Sequence, residues 1–179
     1  MWHAAGVAAF DRATDRDRVD YQLMVRSPVR LVHDRAVLDD TVGWLRRHGY
    51  HVVSVDASWL ITSHMFRDLA AALGTVCHDQ WHCLGEGFAA AVADGWDRFT
   101  GFALVLVGFD GFARHQRDDA RRLLDLVAEH AWSAAVLGGR VLCLAQTDDP
   151  DLRPGPVAVS AVWWTDADWG RASRPPRGR

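Results

Sequence analysis

Between residues 77 and 83 the chain reads Cys-His-Asp-Gln-Trp-His-Cys, so two thiols, two imidazoles, a carboxylate and an indole fall within seven positions. His78 and His82 are four apart, a spacing that puts both rings on one face of a helix, as zinc requires of facing ligands. Cys77 and Cys83 form no Cys-x-x-Cys pair, and no second ligand cluster occurs elsewhere, so the alternative is two thiols and two ordinary histidines. The same residues offer a weaker case for a cysteine nucleophile, because no Asn or carboxylate stands ready to orient a base. Cys143 lies within an apolar run and reads as inert.

Acids are the second chemical theme. Glu86 opens the helical stretch after the cysteine-rich loop, Asp94 and Asp97 close it, and Glu129 sits on a later amphipathic helix. Each has a plain structural use: Glu86 favours a helix N-terminus and Glu129 a solvated face. Converged on one side, they would make an acidic surface able to pair with a basic cleft.

The elements that must position these groups follow from periodicity. Residues 29–33 read as a strand, and Asp34 caps a helix with Leu38, Val42 and Leu45 on one face, ended by Gly49. A β-rich run follows at residues 50–56, then a helix with an apolar stripe of Phe66, Leu69, Ala70 and Leu73. Residues 102–107 and 140–145 are almost wholly apolar, the pattern of strands covered on both faces. Residues 118–131 form the clearest amphipathic helix, with Ala120, Leu123, Leu124, Val127 and Ala131 inward. A β-rich run at residues 157–164 follows a Pro- and Gly-broken segment. The expected fold is a single α/β domain with a mostly parallel sheet flanked by helices. Residues 1–20 are expected to be a mobile arm, 21–169 the domain with its core at 50–146, and 170–179 a disordered basic tail.

Composition narrows the function classes. The 179 residues are 49% hydrophobic and 24% charged, with formal charge −3, which gives no general pull toward nucleic acid or anionic membrane. No apolar run reaches membrane-spanning length, the N-terminus lacks a signal-peptide pattern, and three cysteines argue against a disulfide framework. A cytoplasmic location is the resulting expectation. Nine tryptophans are many for this length; they serve as core filling or as anchors for a partner. There is no phosphate-binding loop, no Gly-x-Gly-x-x-Gly, no Gly-x-Ser-x-Gly, and no lysine at all.

Residues 50–145 resemble the barstar family of intracellular ribonuclease inhibitors, most closely its longer actinobacterial members. The resemblance is carried by His-Val-Val-Ser-Val-Asp at 51–56, Phe-Arg-Asp-Leu-Ala-Ala-Ala-Leu-Gly at 66–74 and Leu-Val-Leu-Val at 104–107. Leu-Leu-Asp-Leu-Val at 123–127 and Val-Leu-Cys-Leu-Ala-Gln-Thr-Asp-Asp-Pro at 141–150 complete it. It implies a barstar-like sheet with an extra N-terminal strand–helix and a C-terminal strand. It also implies an inhibitor or immunity protein, without chemistry or cofactor of its own, that occludes the active site of a secreted guanyl-specific ribonuclease or related toxin. The family's inhibitory segment maps onto Gln80 to Ala90, with Trp81 on an aromatic position and Glu86 on its first acid; its second acid falls on Ala90. Gly95-Trp96 matches a Gly-Trp pair, and Glu129 an acid on the next helix. The implied partner-binding face is Trp81, Glu86, Ala90, Asp94, Trp96 and Glu129. Two alternatives stand beside it: an interaction module whose tryptophan-rich C-terminal strand joins a partner's sheet, and a metal protein using Cys77, His78, His82 and Cys83.

Overall fold

The computed structural model describes residues 9–60, 64–77, 80–157 and 163–165. Two short helices open it, α1 (Arg12–Asp15) and α2 (Val19–Met24), followed by strand β1 (Val29–Val32) and helix α3 (Arg35–Arg47). Strand β2 (Tyr50–Asp56), a single 3-10 turn, and helices α4 (Met65–Ala72) and α5 (Trp81–Asp94) come next. Strand β3 (Gly101–Val107), helices α6 (Phe109–His115) and α7 (Arg117–Val136), and strands β4 (Val141–Gln146) and β5 (Trp163–Thr165) complete the order. The five strands form one sheet in the order β2-β3-β4-β1-β5, and every recorded pairing is parallel. The expected α/β class with a parallel, helix-flanked sheet is therefore what the chain adopts.

Alternation along the strands sorts two cores. Val32, Ala103, Val105, Leu142 and Leu144 meet Leu38, Val42 and Leu45 of α3 on one face. Leu31, Val53, Phe102, Leu104, Leu106 and Cys143 meet α4, α5, α6 and α7 on the other, where Phe66, Phe88, Phe112 and Leu124 are buried. A sheet buried on both faces selects near-continuous apolar strands, and β4 is buried at all six positions. Burial alone pushes the Cys143 thiol up to about 12, so it stays protonated and inert.

The N-terminal segment differs from the loose arm expected of it. Its residues 1–8 lie outside the described residues, but from Asp11 onward it is folded: the Asp11 carboxylate accepts from Ala13 N–H at 2.8 Å and caps α1. Asp20 of α2 is wholly buried, where burial by itself would favour its neutral form. Arg18 donates two hydrogen bonds to it at 3.0 and 2.8 Å, the Tyr50 hydroxyl donates at 2.7 Å, and Arg140 lies 3.5 Å away. Together these hold the Asp20 carboxyl below its ordinary value. Arg30 of β1 donates to the carbonyls of Leu23 and Gln22 at 2.7 and 2.6 Å, closing the C-terminus of α2 with a buried cation. No hydrophobic period marks α1 and α2, because their anchors are 30 and 120 residues away in sequence. The tail at 170–179 lies outside the described residues, as do residues 158–162 of the expected C-terminal strand; of that run β5 shows residues 163–165, parallel to β1.

Because Asp20 is charged only above its folded pKa, its contribution is full above the unfolded value of about 3.9 and is lost as pH falls through the lowered one. Replacing it with Ala leaves Tyr50 and the two guanidinia without their acceptor. We expect Asp20→Ala to lower unfolding free energy by about 3–5 kcal/mol in urea titrations at pH 7. The variant should also lose stability less steeply than wild type below pH 4.

Candidate functional site

Helix α5 begins at Trp81, so the residues expected to form a loop before it are already helical and Glu86 stands in its second turn rather than at its start. Gln80 precedes it in an extended conformation without a side-chain cap, which is why no start signal is visible in the sequence. Of the two glycines inside it, Gly87 is a requirement of packing. A Cβ on Gly87 would lie 2.5 Å from Thr75 Cγ2, where the α4–α5 connection crosses the helix. A Cβ on Gly85 would lie 3.4 Å from His130 Nε2 and 3.6 Å from Leu126 Cδ1, ordinary contact distances, so this position faces α7 without demanding glycine.

The groove left between α5 and α7 encloses about 640 Å³ and is lined on the α5 side by Trp81, His82, Gly85, Glu86 and Ala89. On the α7 side it is lined by Arg122, Asp125, Leu126, Glu129 and His130. The Trp81 ring meets Phe66 edge-on at 5.2 Å, and the Arg122 guanidinium sits over it at 5.1 Å, a cation–π contact that orients both. His82 Nε2 lies 3.3 Å from Glu86 Oε1 on the exposed side of α5. Half-burial pushes the His130 imidazole below its ordinary value, and the neighbouring Glu129 charge opposes that shift. His130 and Ala89 also line an adjoining apolar cavity of about 340 Å³, bounded by Val92, Ala93, Trp96 and Leu137. A Cβ on Gly139 would overlap the Trp96 ring, so the Gly138-Gly139 turn is shaped to receive that indole.

Of the six residues singled out for a partner face, the structure brings Trp81, Glu86 and Glu129 into one groove and Trp96 into the adjoining cavity. Ala90 and Asp94 stand exposed on α5 and line neither. Arg122, Asp125 and His130 were missed; their spacing with Glu129, at 122, 125, 129 and 130, marks one helical face and was the available signal. The metal alternative drew on Cys77, His78, His82 and Cys83. Buried Cys77 donates its thiol hydrogen to the Gln80 carbonyl at 3.3 Å, Cys83 faces the Val76 carbonyl at 3.5 Å, and His82 pairs with Glu86. No group of three His, Cys, Asp or Glu able to hold an ion forms among the described residues, and His78 lies outside them.

The C-terminal edge of the sheet is the other place where an open parallel sheet presents a ligand, at the crevice where neighbouring strands send their connections in opposite directions. Here that point is between β1 and β4. There His33 Nδ1 lies 3.0 Å from the Thr147 carbonyl, and Asp34 accepts from Ala36 N–H at 2.7 Å. Only His33 and Asp34 separate β1 from α3, and a carboxylate already caps that helix, so neither a phosphate-binding loop nor its lysine is present. No described helix is long and apolar enough to cross a membrane.

No family model matches the chain, and no curated protein matches it. Among solved structures it is similar to a chain of Drosophila ORC bound to DNA, with a TM-score of 0.51 and 11% identity over 98% of this chain and 49% of that one. It is also similar to the Walker-type ATPase PABY2304 of Pyrococcus abyssi, with a TM-score of 0.48 and 13% identity over 89% of this chain and 55% of that one. The chain spans about half the length of either, and likeness at such identity concerns the fold alone. These findings correct the barstar resemblance and the ribonuclease-inhibitor function drawn from it. No family match stands behind the resemblance, and the fold is shared with a chain of Drosophila ORC. The expectation of a protein without chemistry of its own was drawn from that resemblance and goes with it.

Two measurements test the geometry. Gly87→Ala should destabilise the fold by about 1–3 kcal/mol despite the better helix propensity of Ala, with Thr75→Ser restoring most of the loss by removing the clashing methyl. In an NMR titration His130 should protonate below the usual midpoint of about 6.5, and Glu129→Gln should move it lower still.

Proposed function

We propose that the α5–α7 groove is where this chain binds a protein partner that presents basic side chains beside an apolar patch. The observation that carries this reading is the continuity of two unlike surfaces. Glu86, Asp125 and Glu129 line a groove that shares His130 and Ala89 with an apolar cavity. Lining that cavity, Leu137 is 62% exposed and Trp96 is also open to solvent. Carboxylates steer an approaching cationic surface, and well-placed aromatics supply the contact area that holds it. Exposed hydrocarbon clustered beside a polar groove is the usual form of a docking surface, whereas apolar residues scattered singly need no explanation.

Trp81 is the fixed end of the site: held by Phe66 and Arg122, it loses little freedom on contact with a partner. Bait carrying the wild-type groove should retain a protein from host lysate at low salt and release it as salt rises. Glu86→Arg with Glu129→Arg should abolish that retention while the circular dichroism spectrum stays native. Equal retention by the double variant would overturn the assignment.

A further inference from the structure

A second cavity, of about 370 Å³, lies between α6, the first turn of α7 and the loop at 149–154, and shares no lining residue with the α5–α7 groove. In a chain of net charge −3 its wall carries four arginines, Arg114, Arg117, Arg121 and Arg153. Arg114 is committed to Asp110 at 3.0 Å. Arg121 reaches the Pro156 carbonyl at 3.1 Å and is 3.8 Å from Asp125, while Arg153 donates to the Pro150 carbonyl at 2.9 Å. Arg117 lines the cavity, is exposed, and pairs with no carboxylate among the described residues. Two further carboxylates share the wall: Asp149, which accepts from Asp151 N–H at 2.9 Å, and Asp151 itself. Phe109 and Leu152 provide apolar surface beside them.

We propose that this cavity binds a small sugar phosphate. Guanidinium groups recognise phosphate oxygens by paired, charge-assisted hydrogen bonds, and Arg117 and Arg121, one helical turn apart, can grip one phosphate from the same side. A bare anion would have no use for Asp149 and Asp151, which repel it; hydroxyl groups donate to carboxylates, so a polyol joined to the phosphate satisfies both charges of the wall. The volume lies within the range of small-molecule sites and is too small for a folded partner.

Isothermal titration of the full chain at low salt with ribose 5-phosphate, inorganic phosphate and ribose decides the matter. Ribose 5-phosphate should bind, at least about tenfold tighter than inorganic phosphate, and ribose should give no heat. Arg117→Gln should weaken ribose 5-phosphate at least about tenfold. Asp149→Asn should weaken ribose 5-phosphate but not inorganic phosphate. Circular dichroism identifies any variant that fails to fold, and Arg117→Ala, at an exposed position, supplies a second test of the same guanidinium. No heat with millimolar ribose 5-phosphate, or equal binding of inorganic phosphate, would overturn the proposal.

Discussion

A parallel sheet cannot leave either face to water, and this molecule is arranged around that demand. Every strand from β1 to β4 contributes side chains to two separate cores, and each core needs its own helical cover. One face is met by α3 and the other by four helices. That inequality decides where function can sit. The crowded face must fit α5 and α7 side by side, and the groove between them is lined by Trp81, with the Arg122 guanidinium over its ring. The sparse face needs its margin sealed, which falls to Asp20 and its three partners at the edge nearest Tyr50.

The polar chemistry of the chain is therefore divided by depth. Charge that is buried, at Asp20 and Arg30, is satisfied by fixed partners and serves to join α2 to the sheet. Charge that is exposed, on α5 and α7, is left in loose i, i+4 pairs such as His82–Glu86 and Arg121–Asp125, which contribute little to stability and can be exchanged for an external partner. At the crevice most often used by open sheets, the short β1–α3 connection is made by His33 and Asp34.

The fold class was legible in the sequence because strands buried on both faces read as apolar runs. Residues 102–107 and 140–145 fall within one position of β3 and β4, and the stripe from Ala120 to Ala131 lies inside α7. The strand order was not legible: β1 sits between β4 and β5, and no local pattern states which strands are neighbours. Matching strings along residues 50–145 therefore suggested a family without constraining the sheet. The start of helix α5 was not legible because Gln80 offers no side-chain cap, and only the proximity of Thr75 gives Gly87 a reason. The groove was half visible. Trp81, Glu86 and Glu129 drew notice as chemical types, whereas Arg122 and Asp125 read as an ordinary solvated face until α5 was laid against them.

The interior position of β1 carries a consequence for how the chain assembles. Among the described residues Val29 to Val32 pair with residues 143–146 and 163–165, so the first described strand waits for partners more than a hundred residues further on. During synthesis the β2–β3 pair can form first, and β1 remains an apolar edge until β4 emerges to receive it. Closure of the sheet is then a late, long-range event with a large loop to fix, the kind of topology that folds slowly. The buried Arg30 and the Asp20–Tyr50 contact belong to that same step, so the polar seal and the last strand of the sheet are set together.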